Sequence, residues 1–240
     1  GIWVPNLLMQ GFFTTVRLGF WATLLAIFLG VIIGVFATSK SLFKRMIGRT
    51  YVELIRNTPP LVLVFIFYFF ISDQIMTALE VDSFARSLSE GPESVMTILF
   101  APPSRISGFL SALITLALYE GAYIAEIVRA GLQSVEKGQW EASHALGFSW
   151  FQQMRYIILP QAIRRILPPL AGQLISTIKD SAIVSVISIQ ELTFQGMELM
   201  AATYLTFEIW ITITALYFVL TFSCSLAVGK LETYMRKKEA

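Results

Sequence analysis

Two adjacent charged residues interrupt a long uncharged stretch in the second half of the sequence. Lys179 and Asp180 are the only charged residues between positions 166 and 189. A charged side chain at the centre of a lipid bilayer costs about 2.5–3.5 kcal/mol on insertion scales, so neither residue is expected to face lipid. Successive residues of a helix point about 100° apart, so these two side chains do not pair with each other.

The neighbours of this pair indicate what each side of the helix offers. Asp180 shares a stripe with Thr177 and Ser181, which predicts a water-filled path where its carboxylate binds an ammonium group. Lys179 lies on an apolar side and is expected to reach into the helix bundle for a carboxylate. That contact is either a structural ion pair or part of a transport path, and the sequence leaves both open.

Two glutamates in an earlier apolar run are the candidate partners. Glu126 precedes Arg129 by three residues, a spacing that favours a local ion pair on a helix. Glu120 lies deeper in the run and has no local partner. It either neutralises Lys179 or contacts a cationic ligand directly.

The sequence contains no motif for covalent or metal-dependent catalysis. It has no Gly-x-x-x-x-Gly-Lys-Ser/Thr loop to hold phosphates, and His144 is its single histidine. One histidine provides neither a cluster of metal ligands nor a Ser/His/Asp set. The chain is therefore predicted not to be an enzyme and to bind no cofactor or metal itself.

A polar segment between two apolar runs, residues 141–160, has the pattern of a folded docking element, and we call it the docking loop. Its first residues favour a helix, and Gly147 is suited to end that helix because glycine adopts a left-handed conformation without a steric clash. Apolar residues then recur every three to four positions over residues 150–158, which predicts a second short helix. Pro160 is expected to end it, because proline cannot continue the hydrogen-bond ladder.

The docking loop resembles the EAA loop of ABC importer permeases. The order Glu-Ala-x-x-x-x-Gly, nine residues, then Ile-x-Leu-Pro runs from Glu141 to Pro160, with Ser143 where a second alanine is usual. The resemblance covers the chain from about Gly11 to about Leu231. Further matches to the polar amino-acid uptake branch of that family lie at residues 56–61, 121–129, 138–141 and 179–181.

The resemblance implies a type I permease domain over residues 11–231 and a cytoplasmic basic tail over residues 232–240. In that family the EAA loop is the coupling helix that fits a cleft on a cytoplasmic ATPase. Glu141 would supply a polar contact and Gly147 the turn. The residues implied in coupling are Glu141, Ala142, Ser143, Gly147, Leu159 and Pro160.

The resemblance also implies partners and a location. The partners are a second permease subunit, identical or different, two ATPase subunits that bind ATP and Mg, an extracytoplasmic substrate-binding protein and membrane lipid, but no nucleic acid. The expected substrate is a polar amino acid, and the expected location is the bacterial cytoplasmic (inner) membrane. Closure of the ATPase subunits would move the docking loop as a rigid body.

Composition and periodicity predict an all-α membrane protein. Of the 240 residues, 55% are hydrophobic and 14% are charged, and the mean hydropathy is +0.68; soluble domains carry roughly 25% charged residues. Spanning helices need ~20 mostly apolar residues. Five runs qualify: about Phe20–Ala37, Leu61–Ile71 if Ser72–Thr77 continue its helix, Ile106–Val128, Ile166–Ile189 and Phe207–Val228.

Single residues predict how these spans begin and pack. Thr58 is expected to cap the second span, and Pro168 with Pro169 to open the fourth. Small residues at Gly30 and Gly34 favour close packing of the first span. Residues 73–105 are predicted to form an irregular, acidic connector outside the membrane.

The distribution of basic residues predicts the orientation of the chain. Most of the 18 Lys and Arg residues fall in the first connector, in or beside the docking loop, and in the tail. The positive-inside rule places these segments on the cytoplasmic side. Five spans then put the N-terminus outside and the C-terminus inside.

Other functions stay open at this stage. The same machinery could carry a metal, a phosphonate or an osmolyte, and the docking loop could be a hairpin that packs on its own subunit. An ion-coupled secondary transporter would use Asp180 or Glu120 as a relay, but such proteins often have internal repeats, and the sequence shows none. A membrane sensor or scaffold would not need buried charges aligned on a polar stripe.

Overall fold

The structure, a computed structural model, describes residues 4–237. Within that range the chain is helical apart from short turns, and it has no β-strand. The helices are α1 (Val4–Thr38), α2 (Leu42–Arg56), α3 (Pro60–Ala78), α4 (Val81–Arg86), α5 (Glu90–Leu99), α6 (Ile106–Gln133), α7 (Lys137–Ala145), α8 (Trp150–Ile187), α9 (Leu192–Thr203) and α10 (Thr206–Lys237). The long helix α8 includes π-helical turns at Met154–Ile158 and ends in a 3₁₀ segment at Ser181–Ile187.

Five of these helices, α1, α3, α6, α8 and α10, are long and apolar enough to cross a membrane. This confirms the predicted all-α fold with five spans. The helix that holds the first span runs from Leu7 to Thr38 and so extends well before Phe20. The second gains its length because the helix continues through Ser72–Thr77, partly as π-helical turns at Phe67–Ser72.

The centre of the bundle is the parallel pair α1 and α6. A Cβ atom added at Gly30 would lie 2.5 Å from Cγ2 of Ile124, and one added at Gly34 would lie 2.7 Å from the carbonyl oxygen of Ala125. The helices approach this closely only because both residues lack a side chain. The predicted close packing at Gly30 and Gly34 is confirmed, and α6 becomes the most buried of the five spans.

The last span, α10, lies at the edge of the bundle. Ile209 and Ile213 pack it against Leu192 and Leu199 of α9, and its other faces carry exposed apolar side chains suited to lipid. The helix continues through Lys237 and so includes the start of the segment predicted as a tail. Residues 238–240 lie outside the described residues.

Two predictions about segments that precede the third span are wrong. Thr58 does not cap α3: its hydroxyl donates to the carbonyl oxygen of Leu54 at 2.6 Å, and the helix begins after Pro59 without a side-chain cap. The connector over residues 73–105 is not irregular, because the end of α3, α4 and α5 fold most of it into helices. Trp21 of α1 holds the end of α5 by donating from Nε1 to the Leu99 carbonyl oxygen at 2.9 Å.

The predictions for the prolines of the fourth span are also wrong. Pro160 does not end a helix, and Pro168 and Pro169 do not open one; all three lie within α8. Pro160 follows the π-helical turns and occupies the first turn of the next α-helical part, where a missing N–H costs little. Pro168 and Pro169 have no N–H to donate to the carbonyls four residues earlier, which belong to the exposed residues Arg164 and Arg165.

Adding one methyl group to α1 tests the close helix pair. We expect Gly34→Ala to force α1 away from the Ala125 backbone and to destabilise the protein by about 1–3 kcal/mol. The measurement is the midpoint of thermal unfolding in detergent. Gly229→Ala is the matched control, because Gly229 also lies within a helix but has nothing within 4 Å of an added Cβ atom. Equal midpoints for the two variants would contradict the packing described here.

Candidate functional site

The turn of the docking loop is built by backbone hydrogen bonds around Gly147. Gly147 has φ +77°, in the left-handed region, as the sequence predicted. Its N–H donates to the His144 carbonyl oxygen at 2.9 Å, and the N–H of Phe148 donates to the Ser143 carbonyl oxygen at 3.2 Å. This pair of bonds is the Schellman motif, which satisfies the last carbonyls of a helix. The turn therefore has one defined geometry.

The helix that follows starts with a capping box. The N–H of Ser149 donates to Oε1 of Gln152 at 2.8 Å, and the N–H of Gln152 donates to Oγ of Ser149 at 3.4 Å. The sequence reasoning missed this box, although the Ser-x-x-Gln spacing is its signature. With the Schellman motif before it, the box leaves only a short, ordered turn between α7 and α8.

Large apolar side chains project from this turn into solvent. Leu146 is 74% exposed, Phe151 is 64% exposed and Trp150 is 57% exposed. The periodicity predicted a second short helix here, and along that helix Met154 and Ile158 are buried while Trp150 and Phe151 are not. An exposed cluster of this size on a polar loop indicates a surface that another protein covers. We call Leu146, Trp150 and Phe151 the exposed apolar cluster.

Side chains join this turn firmly to the rest of the chain. Arg165 of α8 donates from Nη1 to the Ser134 carbonyl oxygen at the end of α6, and Nε2 of Gln161 donates to Oε1 of Gln139 at 3.3 Å. Trp140 of α7 packs on the buried cluster that includes residues of α8. The loop therefore belongs to one packed unit with α6 and α8.

The structure places the residues implied in coupling on two different faces. Glu141, Ala142 and Gly147 are exposed on the docking side. Ser143 is buried and donates from Oγ to the Trp140 carbonyl oxygen at 2.9 Å, so the small side chain packs inward. Leu159 and Pro160 are exposed beyond the π-helical turns. Their roles in coupling stay predictions.

A second polar centre lies between α6 and α8. Glu120 is fully buried, and its Oε2 accepts from Nε2 of Gln173 at 2.5 Å. Its Oε1 is buried without a hydrogen-bond donor among the described residues. The carboxyl group of Asp180 lies close enough to the Glu120 carboxyl group for the two to interact electrostatically. Asp180, predicted to bind an ammonium group, thus lies near Glu120. Gln173 bonds Glu120, for which Lys179 or a cationic ligand was the expected partner.

The other residues of the predicted path divide between the interior and the surface. Thr177 and Ser181 are fully buried, and their hydroxyls donate to the carbonyl oxygens of Gln173 at 2.9 Å and of Ile178 at 2.7 Å. Lys179 and Asp180 are both exposed on the isolated subunit. Lys179 therefore points out of the bundle rather than into it.

The ion pair expected between Glu126 and Arg129 is present. Nε of Arg129 donates to Oε2 of Glu126 at 2.8 Å. Arg56 of α2 adds a second cation, with Nη1 at 3.9 Å from Oε1 of Glu126. The pair closes a small pocket between α2 and α6 near the docking loop.

A third centre, around Glu191, was missed by the sequence reasoning. This residue is fully buried beyond the end of α8 and accepts from the N–H of Phe194 at 2.8 Å, the N–H of Thr193 at 2.9 Å and the hydroxyl of Tyr217 at 2.8 Å. Burial raises the pKa of Glu191, and these donors partly offset the rise. The position of Glu191 directly before an apolar run was the signal that could have identified it as the N-cap of a helix. The carboxylate ties α9 to α10.

These features define the class of the protein: a multi-pass helical membrane subunit with a rigid docking loop at one end. Residues 8–237 match the family described as "Binding-protein-dependent transport system inner membrane component". The chain belongs to this family, and it is a transport subunit rather than an enzyme.

Relatives and a solved structure agree with this assignment. The chain is 32% identical over 232 residues to "Probable glutamine ABC transporter permease protein GlnM" of Bacillus subtilis (strain 168), covering 97% of this chain and 94% of the relative. It is 34% identical over 229 residues to "Glutamine transport system permease protein GlnP" of Escherichia coli (strain K12), covering 92% and 90%. A chain from "Crystal structure of an amino acid ABC transporter with histidines" superposes with a TM-score of 0.75 at 33% identity, covering 96% of this chain and 94% of that chain.

The left-handed turn can be tested with two glycines of the docking region. We expect Gly147→Ala to cost about 1–2 kcal/mol, because an L-residue is strained at φ +77°. The amides of residues 146–148 should then exchange with deuterium roughly tenfold faster. Gly138→Ala is the control, since Gly138 also has open space around it but no positive φ. The turn is not restrained by Gly147 if both variants exchange alike.

Proposed function

We propose that this chain is the permease subunit of an ATP-driven importer of polar amino acids in the cytoplasmic (inner) membrane of a bacterium. It would form the path with a second permease subunit, bind ATPase subunits through the docking loop and receive substrate from a binding protein at the opposite end. Support for the substrate class comes from the relatives, which are named for glutamine and whose full lengths this chain nearly matches.

The observation that carries this proposal is the continuous course of α8. One helix begins at the capping box beside the exposed apolar cluster and reaches the Glu120–Asp180 centre in the membrane. A displacement of the docking loop therefore moves Asp180 without passing through a flexible segment. Such rigid-body movement is how packed helices transmit a change between distant sites.

The charges at the two ends support the orientation with the docking loop in the cytoplasm. Lys40 and Lys44, in the basic connector after α1, border the same cavity of about 490 Å³ as Trp140 and Trp150 of the docking region. The basic connector and the docking loop thus lie at one end of the bundle. The positive-inside rule assigns that end to the cytoplasm, where the ATPase subunits with their ATP and Mg would bind.

The exposed charges of α8 support a second permease subunit. Lys179 and Asp180 are exposed on the isolated chain although they belong to a membrane-spanning helix. Exposing either charge to lipid would cost several kcal/mol, so both side chains must contact a partner subunit or a water-filled path. A two-fold pair of permeases provides both, because it places the same α8 surface of each copy around one axis.

The transport cycle follows from these contacts. ATP-driven closure of the ATPase subunits would push the two docking loops together and carry the α8 helices with them. The Asp180 carboxylates would then change their access from one side of the membrane to the other, and hydrolysis would allow the return. Asp180 and Glu120 supply the negative charge that suits the ammonium group of an amino acid.

Replacing one residue of the exposed apolar cluster tests the docking surface. In reconstituted transporter we expect Leu146→Ser to lower substrate uptake and substrate-stimulated ATPase activity about tenfold, as removal of a buried interface anchor does. Its folding should be unaffected, because the side chain is 74% exposed in the free subunit. Leu205→Ser is the control, since Leu205 is 51% exposed and follows α9 at the other end of the bundle. Normal uptake by Leu146→Ser would remove the docking surface from the proposal.

Neutralising the exposed acid of α8 tests the path. We expect Asp180→Asn to reduce uptake of glutamine at least tenfold, because an amide does not balance a buried ammonium charge. Basal ATPase activity and assembly should stay normal. Asp82→Asn, on the exposed connector helix α4, should behave as the wild type. Unchanged uptake by Asp180→Asn would show that the path runs elsewhere.

A further inference from the structure

A cavity of about 490 Å³ opens at the end of the bundle opposite the docking loop. It lies between the first turns of α1, the approach to α6 and the turn after α8. Of the described residues that line it, Arg17 and Arg105 are charged and none is acidic. Gln190, Ser104 and Thr14 add neutral polar groups to the wall. The cavity therefore carries positive charge without an internal counterion.

The two guanidinium groups keep most of their hydrogen-bonding capacity. Arg17 donates from Nε to the Phe13 carbonyl oxygen at 3.1 Å and from Nη1 to the Thr97 carbonyl oxygen at 2.6 Å. These two bonds fix the half-buried side chain. Three of its five N–H groups, including both on Nη2, stay available to a ligand. Among the described residues, neither Arg17 nor Arg105 forms an ion pair with a carboxylate within 4.0 Å. The two guanidinium groups are therefore able to bind an anionic ligand.

Both arginines lie at the depth of lipid head groups. At 1.5 Å per residue, Arg17 is about 32 Å along α1 from Thr38, where the helix ends beside the basic connector. By the same measure Arg105 is about 36 Å from Arg129 along α6. The hydrocarbon core of a bilayer is about 30 Å thick, so guanidinium groups at this distance reach the phosphates of the far leaflet.

The rim of the cavity is apolar and suits acyl chains. Phe13, which lines the cavity, is 59% exposed, and Ile98, next to the lining residue Thr97, is 72% exposed. Trp21 stacks on Phe100 nearby, with ring centroids 4.9 Å apart, as aromatic residues do at membrane interfaces. A ligand that fills this site needs a phosphate for the arginines and a hydrocarbon part for the rim.

We propose that this cavity binds the head group of an anionic phospholipid, with its phosphate oxygens on Arg17 and Arg105. Arginine matches phosphate with parallel hydrogen bonds, and a charge-assisted pair is stronger than a neutral one. The bound lipid links α1 to the segment that precedes α6. It thereby stabilises the end of the subunit where the binding protein would dock.

Native mass spectrometry of the assembled, delipidated transporter tests this site. Titration with phosphatidylglycerol should show one tight lipid per permease chain. The double variant Arg17→Gln/Arg105→Gln should weaken that binding at least tenfold. Arg105→Gln alone should weaken it measurably, and because this side chain is exposed, the single variant reports on binding without a loss of folding. Arg86→Gln, an exposed arginine of α4 outside the cavity, is the matched control and should bind as the wild type does.

Competition distinguishes the possible sources of the anion. Inorganic phosphate and glycerol 3-phosphate at millimolar concentration should not displace the lipid, because they lack the acyl chains. Displacement by either would show a site for soluble phosphate and overturn the lipid assignment. Displacement by glutamine or glutamate would assign the cavity to the substrate path. Equal lipid binding by the double variant and the Arg86→Gln control would refute the site.

Discussion

The unbroken course of α8 is the constraint on which the rest of the structure depends. Inside a bilayer no water is available for backbone N–H and C=O groups, so a break in a spanning helix is costly. α8 contains three prolines and still continues, because Pro160 follows π-helical turns and the donors that Pro168 and Pro169 lack would bond carbonyls of exposed residues. The docking loop and the Glu120–Asp180 centre thus lie at two ends of one continuous helix.

Buried polar groups fix the other elements around α8. Gln173 bonds Glu120 and joins α8 to α6, while Glu191 joins α9 to α10. These contacts define the relative positions of helices that apolar packing alone leaves free to rotate. The parallel pair α1 and α6 then packs through glycines, which allows the central helix to be covered on most sides. Oε1 of Glu120 has no donor among the described residues and Asp180 is exposed, which is why we propose these two acids for the substrate path.

Much of this architecture was predictable because the bilayer imposes simple rules. The five apolar runs correctly predicted five spans, and Gly147 correctly predicted the left-handed turn. The spacing of Glu126 and Arg129 correctly predicted their ion pair. The effect of the prolines on α8 was predicted wrongly, because propensity rules describe isolated helices. In this structure the prolines fit within the helix, since one follows a π-helical turn and the other two affect exposed carbonyls. The exposure of Trp150 and Phe151 was not predictable, because periodicity identifies apolar residues but does not distinguish those in the core from those on the surface. Glu191 was missed because its donors come partly from Tyr217, which lies 26 residues away.

The central claim is that α8 moves as one rigid body between the docking loop and the membrane centre. The most direct measurement is the distance between spin labels at Arg155→Cys and Ser176→Cys in a single permease chain of the assembled transporter, with Cys224 replaced by serine. Arg155 is exposed and lies outside the exposed apolar cluster. The two positions are about 32 Å apart along a helix. The account predicts the same distance with and without ATP, while distances from either label to the second permease subunit change. A change of several ångströms between the two labels would reveal a hinge at the prolines and contradict the account.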